Sequence, residues 1–133
     1  MPPDSPLIVL HHGTTLQRAR AIEANGPDPG YREPGAEHLP AAEGFSTVVA
    51  DAGRPCSTGT PEMAARNKDD LFPDEGGPAI LEVSVPPTIM AILYADPIAA
   101  GLARSGEIRF DPGSGLEELR AEWHNLAKRV IPL

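Results

Sequence analysis

The chain has 133 residues, a formal net charge of −8, 41% hydrophobic residues and a single cysteine. This length fits one domain with a buried core, and the acidic charge opposes general binding to nucleic acid or anionic membranes, which require a positive surface. One cysteine cannot form an internal disulfide, and there is no apolar run of about 18 residues that could span a membrane. We therefore expect one domain over residues 1–133, cytoplasmic or exported as an effector without a cleaved signal peptide.

The chain opens with a predicted strand and helix. Residues 7–10 (LIVL) form a short continuous apolar run that is typical of a buried strand. A helix is predicted from residue 16, with Thr14 or Thr15 as its N-cap and Asn25-Gly26 as its end. Residues 27–43 contain prolines and glycines without a period, which predicts a long loop of the kind that usually serves a function.

The middle of the chain contains two further predicted strands with a helix between them. The strands are predicted at residues 45–50 and 79–85, the second from its alternating pattern. The helix is predicted to begin with Thr60 as N-cap and Pro61 at its first position, and to stop at Pro73.

The last third is less regular. Residues 88–96 fit either a strand or a short helix, and residues 107–110 (EIRF) alternate as a strand does. A final helix is predicted over residues 115–130, capped by Ser114, followed by an edge strand over 130–133. This order of elements predicts an α+β fold with a mostly antiparallel sheet.

The histidines and the cysteine do not have the spacing of a metal site. His11 and His12 are adjacent, so they point to opposite faces of a strand, and His38 and His124 lie far away in sequence. Neither H-x₃-H nor C-x₂-C spacing occurs, and Cys56 has no obvious histidine partner for nucleophilic catalysis. The sequence therefore predicts no metal centre.

His12, Gly13 and Thr14 follow the first predicted strand and precede the first helix. Glycine allows a ligand to approach the backbone closely, and the histidine and threonine side chains add polar groups. This combination suits an amide and a ribose as ligands. The alternative is that His12 ends the strand and Gly13-Thr14 is merely a turn.

LIVLHHGTTLQRARAIEANG resembles the opening of ADP-ribosyltransferase domains of the diphtheria-toxin and poly(ADP-ribose) polymerase type. Further blocks are similar to that family in the same order, from residue 7 to about residue 112: Gly44-Phe45-Ser46-Thr47, EMAARNKDDLF, PAILEVSVP and SGEIRFDP. The resemblance implies a small ADP-ribosyltransferase-like fold of mostly antiparallel, split β-sheets flanked by a few helices.

The resemblance also implies a site for NAD as co-substrate. His12 would hydrogen-bond the adenosine-side ribose, Gly13 would offer its backbone N–H and C=O to the nicotinamide amide, and Thr14 would support the same pocket. Glu107 would be the catalytic carboxylate, bonding the ribose 2′-OH and stabilising the positive charge that develops as nicotinamide leaves. Glu82 is a weaker candidate for that carboxylate, because it points away from the face of Leu81 and Val83.

The chain departs from the family at one position. The family's second strand usually supplies a tyrosine that stacks on nicotinamide, and this position is Ser46 here. Phe45, or Tyr31 in the long loop, could take the stacking role instead. The departure motivates an alternative, a catalytically inactive module that binds NAD or ADP-ribose.

The leading hypothesis is a toxin-like NAD-dependent mono-ADP-ribosyltransferase, with an unidentified acceptor that could be protein, nucleic acid, a small molecule or water. An antitoxin or immunity partner would fit such a toxin. The alternatives are the inactive binding module, an NAD glycohydrolase, or an interaction protein that uses the C-terminal helix and tolerates His12→Ala. An RNA 2′-phosphotransferase-like activity is opposed by the negative charge.

Overall fold

The computed structural model describes residues 7–27, 45–49, 60–104 and 106–133, and for residues 45–49 it describes the backbone alone. The described strands are β1 (Ile8–Thr15), β2 (Phe45–Val49), β3 (Pro78–Val85), β4 (Glu107–Phe110) and β5 (Lys128–Pro132). The described helices are α1 (Leu16–Asn25), α2 (Pro61–Leu71), α3 (Pro87–Tyr94), α4 (Pro97–Arg104) and α5 (Leu116–Glu122), the last continuing into a 3-10 turn at Trp123–Asn125. Within these residues, no helix is long and apolar enough to cross a membrane.

The five described strands form one sheet in the order β4-β2-β1-β3-β5, and every neighbouring pair is antiparallel. The predicted α+β class with an antiparallel sheet is confirmed. The described strands do not form two separate sheets, as the split arrangement would require. The sheet is continuous through β1, which pairs with β3 along its whole length and with β2 only at Leu10 and His11.

One face of the sheet, which we call the core face, carries the hydrophobic core. Leu10 on β1, Leu81 and Val83 on β3, and Ile108 and Phe110 on β4 are each at most 2% exposed. Strand β3 also contributes Ala79 and Val85, and the helices contribute the remaining buried members of the cluster: Ala19, Ile89, Met90, Leu93, Ala99, Leu116, Leu119 and Trp123. The opposite face, which we call the outer face, is covered by α2 at one end, where Ala65 and Ile80 are buried.

The predicted boundaries of the first two helices are confirmed because their caps are formed. The hydroxyl oxygen of Thr15 accepts a hydrogen bond from the amide of Arg18 at 3.3 Å, and that of Thr60 accepts one from the amide of Met63 at 3.2 Å. Gly26 ends α1 with φ +84°, a backbone angle at which glycine avoids the strain that a β-carbon would cause. Strand β1 is longer than predicted, because it continues through His-His-Gly-Thr-Thr to the cap itself.

The predicted C-terminal helix over residues 115–130 is wrong in its second half. The α-helix ends at Glu122, and residues 128–132 instead pair with β3 as the edge strand β5. Pairing with β3 therefore prevails over the helical periodicity in this segment. The apolar residues at helical spacing correspond to helical structure only up to Trp123. Ser114 is not the cap either: the N-cap residue is Gly115, and the Ser114 hydroxyl donates to the carbonyl of Asp111 at 3.3 Å.

Candidate functional site

The described ladder between β1 and β2 is short. It holds two residue pairs, Leu10 with Val49 and His11 with Val48. On the far side of β2 the ladder continues, since Phe45 to Val48 all pair with β4. Among the described pairings, Gly13 has a partner on β3 and none on β2. A backbone N–H or C=O that is not used in a ladder is what an amide ligand requires.

A row of four polar residues and Val48 crosses the outer face at the last described residue pair of β1 and β2. The register aligns Glu107 with Val48, Val48 with His11, His11 with Glu82, and Glu82 with Arg129. Residues directly opposite each other in an antiparallel sheet project to the same face. Glu107 and His11 therefore share the outer face, with one strand between them and a Cα separation of roughly 10 Å from strand spacing alone.

His12 and Thr14 lie on the other face of β1. Their partners on β3 are Leu81 and Ala79, which are fully buried in the core face. Thr14 is 1% exposed, and His12 is half-buried. The expectation that His11 and His12 face opposite ways is confirmed. The ribose role of His12 stays a prediction, and within the paired part of the sheet it is His11 that shares a face with Glu107.

His11 is held by an ion-pair network on the outer face. Its Nε2 lies 2.9 Å from Oε2 of Glu82, and the Nε of Arg129 donates to Oε1 of the same carboxylate at 2.8 Å. The bonds from Arg129 and then from His11 lower the pKa of the Glu82 carboxyl. Glu82 is therefore ionised at neutral pH, and it faces away from Leu81 and Val83 as its position in the strand predicts.

Glu107 is the first residue of β4 and is half-buried. The neighbouring cation on the same face, Arg109, donates from Nε to Oδ1 of Asp111 at 2.9 Å. Asp111 follows the strand directly and has this arginine as an ion-pair partner. Glu107 thus begins the strand at the edge of the described sheet.

Gly13 is required by packing as well as suited to a ligand. A β-carbon at this position would collide with the carbonyl oxygen of Pro61 and would lie 2.9 Å from the amide nitrogen of Ala65. The first turn of α2 therefore occupies the outer face beside Gly13. A ligand that contacts the Gly13 backbone must approach along the β2-facing edge of β1 and not over this face.

Thr15, Arg18 and Glu75 form a network that the sequence did not predict. The Thr15 hydroxyl donates to Oε1 of Glu75 at 3.0 Å, and Nε of Arg18 donates to the same oxygen at 2.7 Å. The hydrogen bond from Arg18, together with that from Thr15, lowers the pKa of Glu75. Arg18 also lies over the ring of Phe72 at 4.0 Å. The only sequence signal was the capping threonine, since 60 residues separate Thr15 from Glu75.

Three of the predicted ligand contacts lie outside the described side chains. Tyr31 falls in residues 28–44, and Phe45 and Ser46 are described by backbone alone. Their register is known: Phe45 pairs with Phe110 and Ser46 with Arg109, which places both beyond the last described residue pair of β1 and β2. In the described part of the chain, no group of three His, Cys, Asp or Glu side chains could hold a metal ion.

Comparison with known proteins returned no match to a protein-family model, to a curated protein or to a solved structure.

Proposed function

We propose that this chain is an NAD-dependent mono-ADP-ribosyltransferase that cleaves the bond between nicotinamide and ribose and transfers ADP-ribose to an acceptor. The proposal starts from the resemblance of the His-Gly-Thr, Gly-Phe-Ser-Thr and Glu-Ile-Arg-Phe blocks to that family. One observation carries it furthest: the ladder through β2 aligns Glu107 with His11, at the last described residue pair of β1 and β2. Three segments far apart in sequence therefore lie on three neighbouring strands of one sheet.

The end of the described ladder between β1 and β2 supports a position for the nicotinamide amide. An amide needs one donor and one acceptor, and the backbone of Gly13 offers both on its β2-facing side. The first turn of α2 fixes this backbone from the outer face, because it packs against the α-carbon of Gly13. A fixed pair of backbone groups binds an amide without the entropy cost of ordering a side chain.

In this proposal Glu107 acts on the ribose next to the amide. As the bond between ribose C1 and the nicotinamide nitrogen breaks, its electron pair leaves with neutral nicotinamide and positive charge develops on the ribose. A carboxylate hydrogen-bonded to the 2′-OH stabilises that charge, and it does so most strongly where water is excluded. The half-buried position of Glu107 at the start of β4 fits this role.

The test is nicotinamide release from NAD by the purified protein, in buffer and again with a cell extract as a source of acceptors. We expect release by the wild type, and a loss of about 10²–10³-fold in Glu107→Gln, the scale of removing one electrostatic contact to a transition state. Glu122→Gln is the matched control, because Glu122 is exposed and bonds only Asn125 among the described residues. Equal release by wild type and Glu107→Gln, or none by either under both conditions, would refute the proposal.

A second candidate function is a module that binds NAD or ADP-ribose without turnover. The observation that favours it is Ser46, which stands where the family places a stacking tyrosine and which pairs with Arg109 rather than with β1. This candidate predicts NAD-dependent thermal stabilisation of the wild type together with no nicotinamide release. Stabilisation accompanied by release that depends on Glu107 would exclude it.

A further inference from the structure

We infer that His11, oriented by Glu82, is the general base that accepts the acceptor's proton, so that the acceptor is a group that loses a proton as it attacks, as water or a hydroxyl compound does. The inference rests on the proposed function and deepens it, because it assigns a role to the second histidine of β1 and a chemical class to the acceptor. It is drawn from four observations. His11 is hydrogen-bonded to Glu82, Glu82 is ion-paired with Arg129, Nδ1 of His11 has no partner among the described residues, and His11 lies in the same row of the sheet as Glu107.

The hydrogen bond to Glu82 determines which nitrogen of His11 carries the proton. Nε2 of His11 lies 2.9 Å from Oε2 of Glu82, and an ionised carboxylate can only accept. The neutral imidazole is therefore protonated at Nε2, which leaves the lone pair on Nδ1. No hydrogen bond from a described residue to Nδ1 of His11 is found, and the His11 side chain is 24% exposed.

Arg129 keeps the carboxylate in place and ionised. It reaches Glu82 through two bonds, Nε to Oε1 at 2.8 Å and Nη2 to Oε2 at 3.3 Å. Two parallel bonds from a guanidinium fix the plane of a carboxylate, and a fixed carboxylate fixes the imidazole it accepts from. Glu82 and His11 are thus arranged like the carboxylate and histidine of a catalytic triad, in which a hydrogen bond to the carboxylate sets the orientation of the histidine base.

The row on the outer face sets the distance to the proposed carboxylate. His11 and Glu107 lie on the two strands that flank β2, roughly 10 Å apart at their α-carbons. Both side chains extend from the same face, and in the register Val48 of β2 lies between them. In this proposal a ribose bonded to Glu107 lies across β2, and His11 holds the acceptor on the other side.

The step balances with these groups alone. The acceptor's O–H proton moves to Nδ1 of His11, a bond forms between the acceptor oxygen and ribose C1, and the bond from C1 to nicotinamide breaks. The electron pair of that bond leaves with nicotinamide, which carries no net charge after it departs. The imidazolium formed is stabilised by Glu82 until it returns its proton to solvent.

The presence of a base discriminates between classes of acceptor. A carboxylate side chain has no proton to lose when it attacks, so a base opposite Glu107 would give it no advantage. Water and hydroxyl groups must lose a proton as they attack, and a positioned base accelerates such steps by about 10²–10⁴-fold. The geometry therefore favours NAD hydrolysis or transfer to a hydroxyl compound over transfer to a carboxylate.

The experiment measures nicotinamide release and the fate of ADP-ribose in water and in water containing methanol, which is a minimal hydroxyl acceptor. We expect His11→Ala to lower release by about 10²-fold or more, and added imidazole to restore part of it, because free imidazole can replace a base but not a packing contact. His124→Ala, at an exposed histidine, is the matched control and should release nicotinamide as the wild type does.

A second readout does not depend on turnover. Nitrogen-15 NMR of the neutral imidazole should show His11 protonated at Nε2 in the wild type, and a mixture of tautomers in Glu82→Gln. Protonation at Nδ1 in the wild type would overturn the inference, as would full release by His11→Ala. In that second case, release that still requires Glu107 would leave the proposed function standing. If the wild type releases no nicotinamide, both the inference about His11 and the proposed function are refuted.

Discussion

The carbonyl oxygen of Pro61 occupies the space in which a side chain on Gly13 would begin. This contact joins the first residue of α2 to the strand that carries the candidate site. It also shows why a glycine stands between His12 and Thr14, since any other residue would push α2 off the sheet. The same glycine is the proposed binding point for an amide, so its packing role and its ligand role meet in one residue.

Gly13→Ala should therefore destabilise the protein. The clash is with backbone atoms of Pro61 and Ala65, which cannot move aside as a flexible side chain would. We expect a loss of about 1–3 kcal/mol in the free energy of unfolding, measured by urea denaturation. Gly101→Ala is the control: it lies in α4 with only the end of the Arg104 side chain near it, and it should leave stability unchanged or raise it. Equal effects of the two substitutions would contradict this account of Gly13.

Trp123 connects the C-terminal part of the chain to the end of helix α1. Its ring is 1% exposed, it contacts Gly26, and its Nε1 donates to the carbonyl of Glu23 at 3.0 Å. Trp123→Ala should cost about 3–5 kcal/mol, because it leaves a large cavity and an unpaired carbonyl. Trp123→Phe should cost less, and thermal unfolding of the two variants provides the comparison. A loss below about 1 kcal/mol in Trp123→Ala would show that the site can collapse or is not in the core.

Thr15 acts both as a helix cap and as a partner of Glu75. Thr15→Val keeps the shape of the side chain but removes the acceptor for the Arg18 amide and the donor to the Glu75 carboxylate. We expect a loss of about 1–3 kcal/mol by urea denaturation. Thr15→Ser retains the hydroxyl and should retain most of the stability. A serine variant as weak as the valine variant would mean that the methyl group, and not the hydroxyl, matters.

The two carboxylates with lowered pKa values predict how stability depends on pH. The pKa of Glu75 is lowered by Arg18, and that of Glu82 by Arg129 and then His11. A group whose pKa is lower in the folded state stabilises it above the ordinary glutamate value of about 4.3 and loses this effect as pH falls through the folded value.

Stability should therefore decline as the solution is acidified below about pH 4.3, and Glu75→Gln and Glu82→Gln should each make that decline shallower. Urea denaturation at neutral pH and at several acidic values measures the slope. Glu122→Gln, at an exposed position, should keep the wild-type slope. If the free energy of unfolding falls equally steeply with pH in all four proteins, the two ion pairs do not contribute to the pH dependence of stability.

Much of the local structure could be predicted because it is encoded over a few residues. The caps at Thr15 and Thr60, the stop at Gly26 and the alternation of β3 each depend on neighbours in sequence. The pairing of His11 with Glu82 could not be predicted, because it depends on the register of two strands 71 residues apart. For the same reason the sequence marked His12 for the site, while the register places His11 on the face of Glu107.

The C-terminal strand β5 could not be predicted from the sequence for a different reason. Residues 115–130 have apolar positions at helical spacing, and an isolated segment of this kind favours a helix. The free edge of β3 competes for residues 128–132, and Lys128 donates two bonds to the carbonyls of Trp123 and Leu126 that end the helical turn. This competition is decided by tertiary contacts, which local periodicity does not contain.

The central claim is that NAD binds where the described ladder between β1 and β2 ends, beside Glu107. The most direct test is an NMR titration of the nitrogen-15-labelled protein with NAD, following the backbone amide of each residue. We predict the largest shifts at His12 and Gly13 on β1 and at Glu107 and Ile108 on β4, with β5 unaffected. Saturable shifts confined to another part of the protein, or no shifts at millimolar NAD, would contradict the account.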